Sequence, residues 1–284
     1  MAEITSQMVK ELRERTGLGM MDCKKALVEA DGDAELAIEN LRKSSGMKAA
    51  KKAGRTAAEG VIRERMSDDG SIGAIIEINC ETDFAARDEN FLKFADAVAD
   101  AIFESKQTDI ESLMAGDMGK VREELVQKIG ENVSVRRAHF IEGGVASYVH
   151  TNGKIGVLVG IEGGDAELGR DVAMHIAATS PQVVSGDDTP EEVIAKEREI
   201  YSAQAAESGK PPEIVEKMVE GRIRKFLQEI SLVEQPFVKD PDSKVGDLLK
   251  KAGATVTSFV RFEVGEGIER EEEDFAAEVQ KQLG

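Results

Sequence analysis

The chain has 284 residues, enough for about two domains. Asp and Glu outnumber Lys and Arg 55 to 37, a formal charge of −18. That balance argues against nucleic acid as the main partner, because a phosphate binder presents a net basic face. An apolar fraction of 41% can build a core, whereas 4% aromatics and no Trp argue against a base-stacking surface.

The opening Met1-Ala2-Glu3-Ile4-Thr5 has neither the basic nor the apolar region of a signal peptide. No apolar run is long enough for a transmembrane helix. Two cysteines, Cys23 and Cys80, are too few for a disulfide framework, so a reduced, cytoplasmic protein is the expectation. The first segment reads as three short helices. Met8, Val9 and Leu12 mark the first, which ends at Thr16-Gly17-Leu18-Gly19. A second runs from Met20 to Ala30, and Asp33 is the N-cap of a third carrying Leu36, Ala37 and Leu41. Lys48 to Gly60, rich in Ala and Lys, reads as a linker that is partly helical. Residues 1–54 hold 10 basic and 9 acidic residues and the remaining 230 hold 27 and 46, which places a boundary near Gly54.

An internal repeat follows. Gly70-Ser71-Ile72-Gly73-Ala74-Ile75-Ile76 matches Gly153-Lys154-Ile155-Gly156-Val157-Leu158-Val159, and each is a turn entering a β-rich run. A helix follows each, at Phe94 to Ala99 and at Val172 to Ala177, the first after a longer connection. Lys120 to Gly130 resembles Lys244 to Gly253, and both lead into strand-like runs, Val133 to Ile141 and Val256 to Val264. Two β–α–α–β copies imply a pair of related α+β subdomains rather than a solenoid.

The second copy carries an insertion. Thr189-Pro190-Glu191-Glu192 starts a helix, Gly209-Lys210-Pro211-Pro212 turns, and a second helix has Val215, Met218, Arg222, Phe226 and Ile230 near heptad spacing, reinforced by Val219 and Ile223. Two such helices, each ~27 Å long at 1.5 Å per residue, make an antiparallel hairpin. The chain closes with Phe275, Val279 and Leu283 at helical spacing in an acidic stretch, which reads as a solvated helix face.

The sequence lacks a phosphate-loop motif, a full dinucleotide fingerprint, a Cys-x-x-Cys pair and a Gly-x-Ser-x-Gly elbow, and its three histidines have no metal-ligand spacing. The extra residues of the first repeat fall in Cys80-Glu81-Thr82-Asp83-Phe84-Ala85-Ala86-Arg87-Asp88-Glu89-Asn90-Phe91. From spacing alone this is a helix entry, capped by Asp83 or Asp88 with Phe84 and Phe91 packed inward. A ring beside a carboxylate on a loop is also a partner probe.

The run Glu11-Leu12-Arg13-Glu14-Arg15-Thr16-Gly17-Leu18-Gly19-Met20-Met21-Asp22-Cys23-Lys24-Lys25-Ala26-Leu27 closely resembles the signature of bacterial elongation factor Ts. The resemblance continues in order through Thr82-Asp83-Phe84, Ser147-Tyr148-Val149-His150, Met174-His175, Ile214 to Lys225 and Phe262 to Glu269. It implies an α+β fold with a ubiquitin-associated-like three-helix domain (1–54) and two related core subdomains (55–143, and 144–186 with 231–264). A helical hairpin (187–230) and a C-terminal helical module (265–284) complete the implied architecture.

The implied function is guanine-nucleotide exchange on elongation factor Tu, met both GDP-bound and nucleotide-free. It needs no cofactor, metal, direct nucleic-acid contact or membrane, and the factor is not an enzyme. In the family the Thr-Asp-Phe loop disturbs the partner's Mg²⁺ site, which carries over to Thr82, Asp83 and Phe84. Ala85 follows where the family commonly has Val. Arg13, Met20, Met21, Lys24, Ile129, Gly130, His150 and Phe275 match partner-contact positions. Apart from the resemblance, the two Met residues read equally as core filling, Arg13 and Lys24 as a solvated face, and His150 as a structural group. His175 reads as structural. Some family members self-associate through the hairpin, which the sequence leaves open. Two rival readings remain: a passive binding module, and an acid–base enzyme using Glu81, Asp83 and Asp88, which would need a pocket to perturb them.

Overall fold

Helices and small sheets alternate along the chain, and the fold is α+β. The computed structural model describes residues 4–207 and 211–269. It divides into two compact units. The first takes the chain up to Arg63, then Ile76–Ala138 and the stretch from Glu263; the second takes Glu64–Ile75 and His139–Phe262.

The first unit opens with helices α1 (Ser6–Thr16), α2 (Met20–Glu29) and α3 (Ala34–Lys52). Thr5 caps α1 by accepting the Met8 N–H, and Asp33 caps α3 by accepting from Glu35 and Leu36. Between α1 and α2 the chain reverses at Gly17, whose φ of 68° suits glycine. Val9, Leu12, Leu18, Cys23, Ala26, Leu27, Ala37 and Leu41 form one small buried cluster. Of the stretch Lys48 to Gly60 that reads as a partly helical linker, Lys48–Lys52 is the last turn of α3, residues 53–58 connect, and Glu59 begins β1. Small residues explain this: Ser45 and Ala49 are buried where α3 lies along α6 (Asp117–Ile129).

Strands β1 (Glu59–Met66), β2 (Ile72–Cys80) and β3 (Val133–Glu142) form a sheet in the order β1-β2-β3, with α4 (Glu89–Ser105), α5 (Ile110–Ala115) and α6 between β2 and β3. From Gly73 onward every residue of the central strand β2 is buried, the polar Glu77 and Asn79 included. Phe91, Phe94, Val98 and Ile102 of α4 are buried on one helical face.

In the second unit, β4 (Val145–Val149) pairs antiparallel with β5 (Ile155–Glu162), from Val145 opposite Gly160 to Val149 opposite Gly156. The sheet order is β4-β5-β8, where β8 is Thr255–Glu263. Helix α7 (Ala166–Thr179) follows β5, then the hairpin helices α8 (Glu191–Ala206) and α9 (Pro212–Ile230), the short strands β6 (Pro236–Phe237) and β7 (Asp240–Lys244), and α10 (Val245–Lys251). Val157, Val159, Val172, Ile176, Leu232, Phe237, Val245, Leu249 and Val256 share a core. The repeat reading includes neither β1 nor β4. Each adds a strand on the far side of the first strand of its repeat.

The hairpin seam is buried along Val219 and Ile223, with Val215 and Leu227 partly covered, against Ala205, Ile194 and Tyr201. The heptad line through Arg222 is therefore shifted. Arg222 is exposed, lies over the Tyr201 ring at 5.8 Å and donates to Gln204 at 2.7 Å. Among the described residues no helix is long and apolar enough to cross a membrane. Of the expected C-terminal helical module (265–284), residues 265–269 are turn and irregular chain, and the rest, with Phe275, lies outside the described residues.

Candidate partner-binding site

The connection between β2 and α4 is built from local hydrogen bonds. Asp88 is the N-cap of α4, accepting from the backbone of Asn90 at 2.8 Å and Phe91 at 3.3 Å. Burial pushes its carboxyl up, but the bonds from Asn90 and Phe91 and the nearby Lys128 charge win and hold it below the usual range. Phe91 is then fully buried. Phe84 is not: it is 80% exposed, so the inward packing that spacing suggests applies to Phe91 alone. The reason is local. Ala85–Arg87 is a short 3-10 turn whose Ala85 and Ala86 fill the buried side, leaving the preceding ring outside.

Thr82 anchors this turn. Its backbone N–H and hydroxyl donate to the two carboxylate oxygens of Glu131 at 2.9 and 2.7 Å. Its hydroxyl oxygen accepts the Ala85 N–H at 3.2 Å, and its carbonyl accepts from Cys80 Sγ at 3.2 Å and the Ala86 N–H at 3.2 Å. Asp83 caps nothing; it pairs with Arg87 at 3.0 Å. Ala85 is buried, and its N–H is held by the Thr82 hydroxyl.

Glu131 directly follows Ile129 and Gly130, so the structure brings these two resemblance residues to the base of the loop. Ile129 is half-buried, and Gly130 ends α6 at φ 84° with its carbonyl accepting from Lys52. Met20 and Met21 begin α2 and are 59% and 76% exposed, so neither fills the core. They follow Gly17, against which Lys128 lies so closely that a Cβ there would sit 2.6 Å from its ammonium. Lys128 in turn donates to Asn90 at 2.8 Å, and Asn90 bonds to Asp88. One chain of contacts thus joins the turn before α2 to the base of the Phe84 loop. Arg13 and Lys24 are exposed on α1 and α2.

His150 belongs to the second unit. It is exposed at the end of β4, and its Nδ1 is 3.0 Å from the Tyr148 hydroxyl. The two rings border a cleft of about 400 Å³ with Ile155, Met174 and Val238. His175 is fully buried. Its Nδ1 accepts the Val238 N–H at 3.1 Å, which assigns the ring proton to Nε2 and its donation to Gln235 Oε1 at 2.9 Å. Burial lowers its pKa, only partly opposed by Gln235. The network makes His175 a structural group.

Spacing and resemblance alone do not single out Glu131 or Asn132. The one local signal is a polar Gly130-Glu131-Asn132 turn at a helix end. Among the described residues, no three His, Cys, Asp or Glu side chains are grouped to hold a metal ion.

The family model described as elongation factor TS matches residues 81–266. The curated relative named elongation factor Ts from Hahella chejuensis is 65% identical over 284 residues, covering 100% of this chain and 99% of that protein. The chain belongs to the elongation factor Ts family. The namesake protein of Marinobacter nauticus is 61% identical, covering 100% of this chain and 99% of its own. That of Saccharophagus degradans is 59% identical over 99% of this chain and 98% of its own. The family is one of translation elongation factors, and its matched region begins at Glu81, the residue before the Thr82 anchor.

Proposed function

We propose that the protein is the guanine-nucleotide exchange factor of elongation factor Tu in the bacterial cytoplasm, acting through protein contact and not as a catalytic enzyme. The observation that carries this reading is Phe84: a large ring left 80% exposed on a loop whose base is fully hydrogen-bonded. Burying such a ring is worth about 1.5–3 kcal/mol, which a monomer forgoes and a partner recovers. A GTPase holds GDP through a phosphate loop and a Mg²⁺ ion that tolerates little departure from octahedral geometry. A rigid wedge driven between the elements holding that ion loosens both. The factor touches protein, not nucleotide, so it needs no phosphate-binding motif of its own.

The coupling is reciprocal: whatever factor of GDP affinity the protein removes, GDP removes from the protein's affinity. Exchange then runs through a nucleotide-free complex without a covalent step, in the direction the nucleotide concentrations set. In this reading Thr82, Asp83, Phe84 and Ala85 form the disturbing loop, and Arg13, Met20, Met21, Lys24, Ile129, Gly130, His150 and Phe275 are partner contacts. The division at 54, 143, 186, 230 and 264, with two related core subdomains, belongs to the same proposal, and so does self-association of this chain through its hairpin.

The test is stopped-flow release of a fluorescent GDP from elongation factor Tu. Phe84→Ala is expected to leave stability within about 0.5 kcal/mol, as for other exposed positions. It should slow the accelerated release about 30-fold, the ~2 kcal/mol of a binding hot spot. Full acceleration by a folded Phe84→Ala variant would remove the wedge; no acceleration by the parent protein would remove the exchange reading.

A further inference from the structure

We infer that Glu131 is a positioning residue for exchange: it clamps Thr82 and thereby fixes the loop that holds Phe84 outward. This inference rests on the exchange reading above. The Asp83–Arg87 pair cannot supply that order, since exposed i,i+4 pairs contribute little. Glu131 is half-buried and uses both oxygens on one residue, Oε2 on the Thr82 N–H and Oε1 on its hydroxyl. Charge-assisted bonds of this kind are the strong ones.

The hydroxyl sets the polarity. Its single proton is committed to Glu131, so its lone pairs face the Ala85 N–H at 3.2 Å and start the 3-10 turn after Phe84. The clamp is also returned in the opposite sense. Glu81 accepts the Asn132 N–H at 2.5 Å, and Asn132 Nδ2 donates to the Arg55 carbonyl at 2.9 Å. Adjacent pairs 81–82 and 131–132 thus exchange carboxylates across the fold. Gly130 gains a reason as well: its left-handed φ of 84° ends α6 in time for Glu131 to turn onto Thr82.

The chain has no Trp, so Phe84→Trp places a single indole on the loop. In the full-length protein, time-resolved anisotropy of that indole should show a restrained loop, and Glu131→Ala should release it. In GDP release from elongation factor Tu, Glu131→Ala should slow exchange about tenfold, as loss of positioning does. Glu131→Gln keeps one acceptor and should recover part of that. In a Phe84→Ala background, Glu131→Ala should add less than about twofold, because its effect passes through the ring.

Equal restraint of the indole with and without Glu131 overturns the inference. So does a Glu131→Ala loss that persists undiminished in the Phe84→Ala background. Should Glu131→Ala fail to fold, Glu131→Gln is read on the same two signals and decides in the same way. A freed indole with accelerated GDP release unchanged by Glu131→Ala and by Phe84→Ala overturns the positioning role together with the wedge, whereas no acceleration by the parent protein discards the exchange reading itself.

Discussion

Glu77 is fully buried in the middle of β2, among Ile75, Ile76 and Ile78. Its carboxylate accepts from Arg137 Nε at 2.6 Å, Arg136 Nη1 at 3.0 Å, Asn79 Nδ2 at 3.0 Å and the Gly265 N–H at 2.8 Å. It therefore ties β2 to β3 and to the turn after β8. Burial alone raises its pKa, yet the bonds from Gly265, Asn79 and the two arginines outweigh that and lower it. Glu77→Ala removes the acceptor from all four donors and should cost about 3–5 kcal/mol, the range for breaking a buried pair. Glu77→Gln keeps the shape but turns an amide NH₂ toward a site furnished only with donors. It should cost about 3 kcal/mol, toward the low end of that range, because Arg137 retains Glu266 at 3.1 Å.

Chemical denaturation followed by circular dichroism measures both variants, and pH supplies an independent check. In the unfolded chain Glu77 takes up a proton near the usual carboxylate value of about 4.5, while in the fold it resists protonation until lower pH. Its stabilisation is thus fully present above that value and is lost as pH falls through the folded pKa. The slope is at most about 1.4 kcal/mol per pH unit for one proton. The difference between parent and Glu77→Gln should shrink on acidification below about 4.5. A Glu77→Gln variant within 0.5 kcal/mol of the parent at neutral pH, or a difference that does not change between neutral pH and pH 3, would refute this account of the clamp.

His175 gives the opposite end of the pH scale. Its folded pKa is depressed by burial, so the unfolded chain binds a proton that the fold refuses once pH drops below about 6.5. Denaturation midpoints should be flat above that value and fall below it until the folded pKa is reached; a His175→Gln variant should lack that fall, and a parent midpoint unchanged between pH 7 and 5 would contradict the neutral assignment. In the hairpin, Ile223→Ala removes one of its few fully covered side chains. A shallow seam places the cost near 2 kcal/mol, so amide exchange in α8 and α9 should rise about 30-fold while α1 to α3 stay protected. Uniform loss of protection would mean that the hairpin does not open by itself.

The fold was legible wherever one segment carried its own pattern. Asp33 before an apolar repeat is a cap, and Ile75-Ile76 and Val157-Leu158-Val159 are buried strands whatever surrounds them. The errors arose where a partner element decides. Ala49 looks like a linker residue until α6 lies against α3. Pro236-Phe237 and Asp240–Lys244 carry no strand alternation and pair only because a tight hairpin joins them. The candidate loop was found by resemblance, but the direction of Phe84 could not be read from spacing, because two rings seven residues apart both suit an inward face. Glu131 was invisible for the same reason as Glu77: the groups they hold lie about 50 or more residues away.

The Glu131 carboxylate helps explain how this loop carries an exposed aromatic ring. An unrestrained Phe84 would gain by folding back onto the apolar surface beneath it, since each buried ring is worth about 1.5–3 kcal/mol. Ala85 and Ala86 already occupy that surface, and Thr82 is held at every one of its hydrogen-bonding groups. The ring is left outside because its alternatives are filled, not because it is disfavoured within. A wedge that had to be ordered on contact would lose about 1–2 kcal/mol per residue fixed. Here that ordering is complete before any partner arrives, so the energy gained in burying Phe84 remains available to act on whatever the ring displaces.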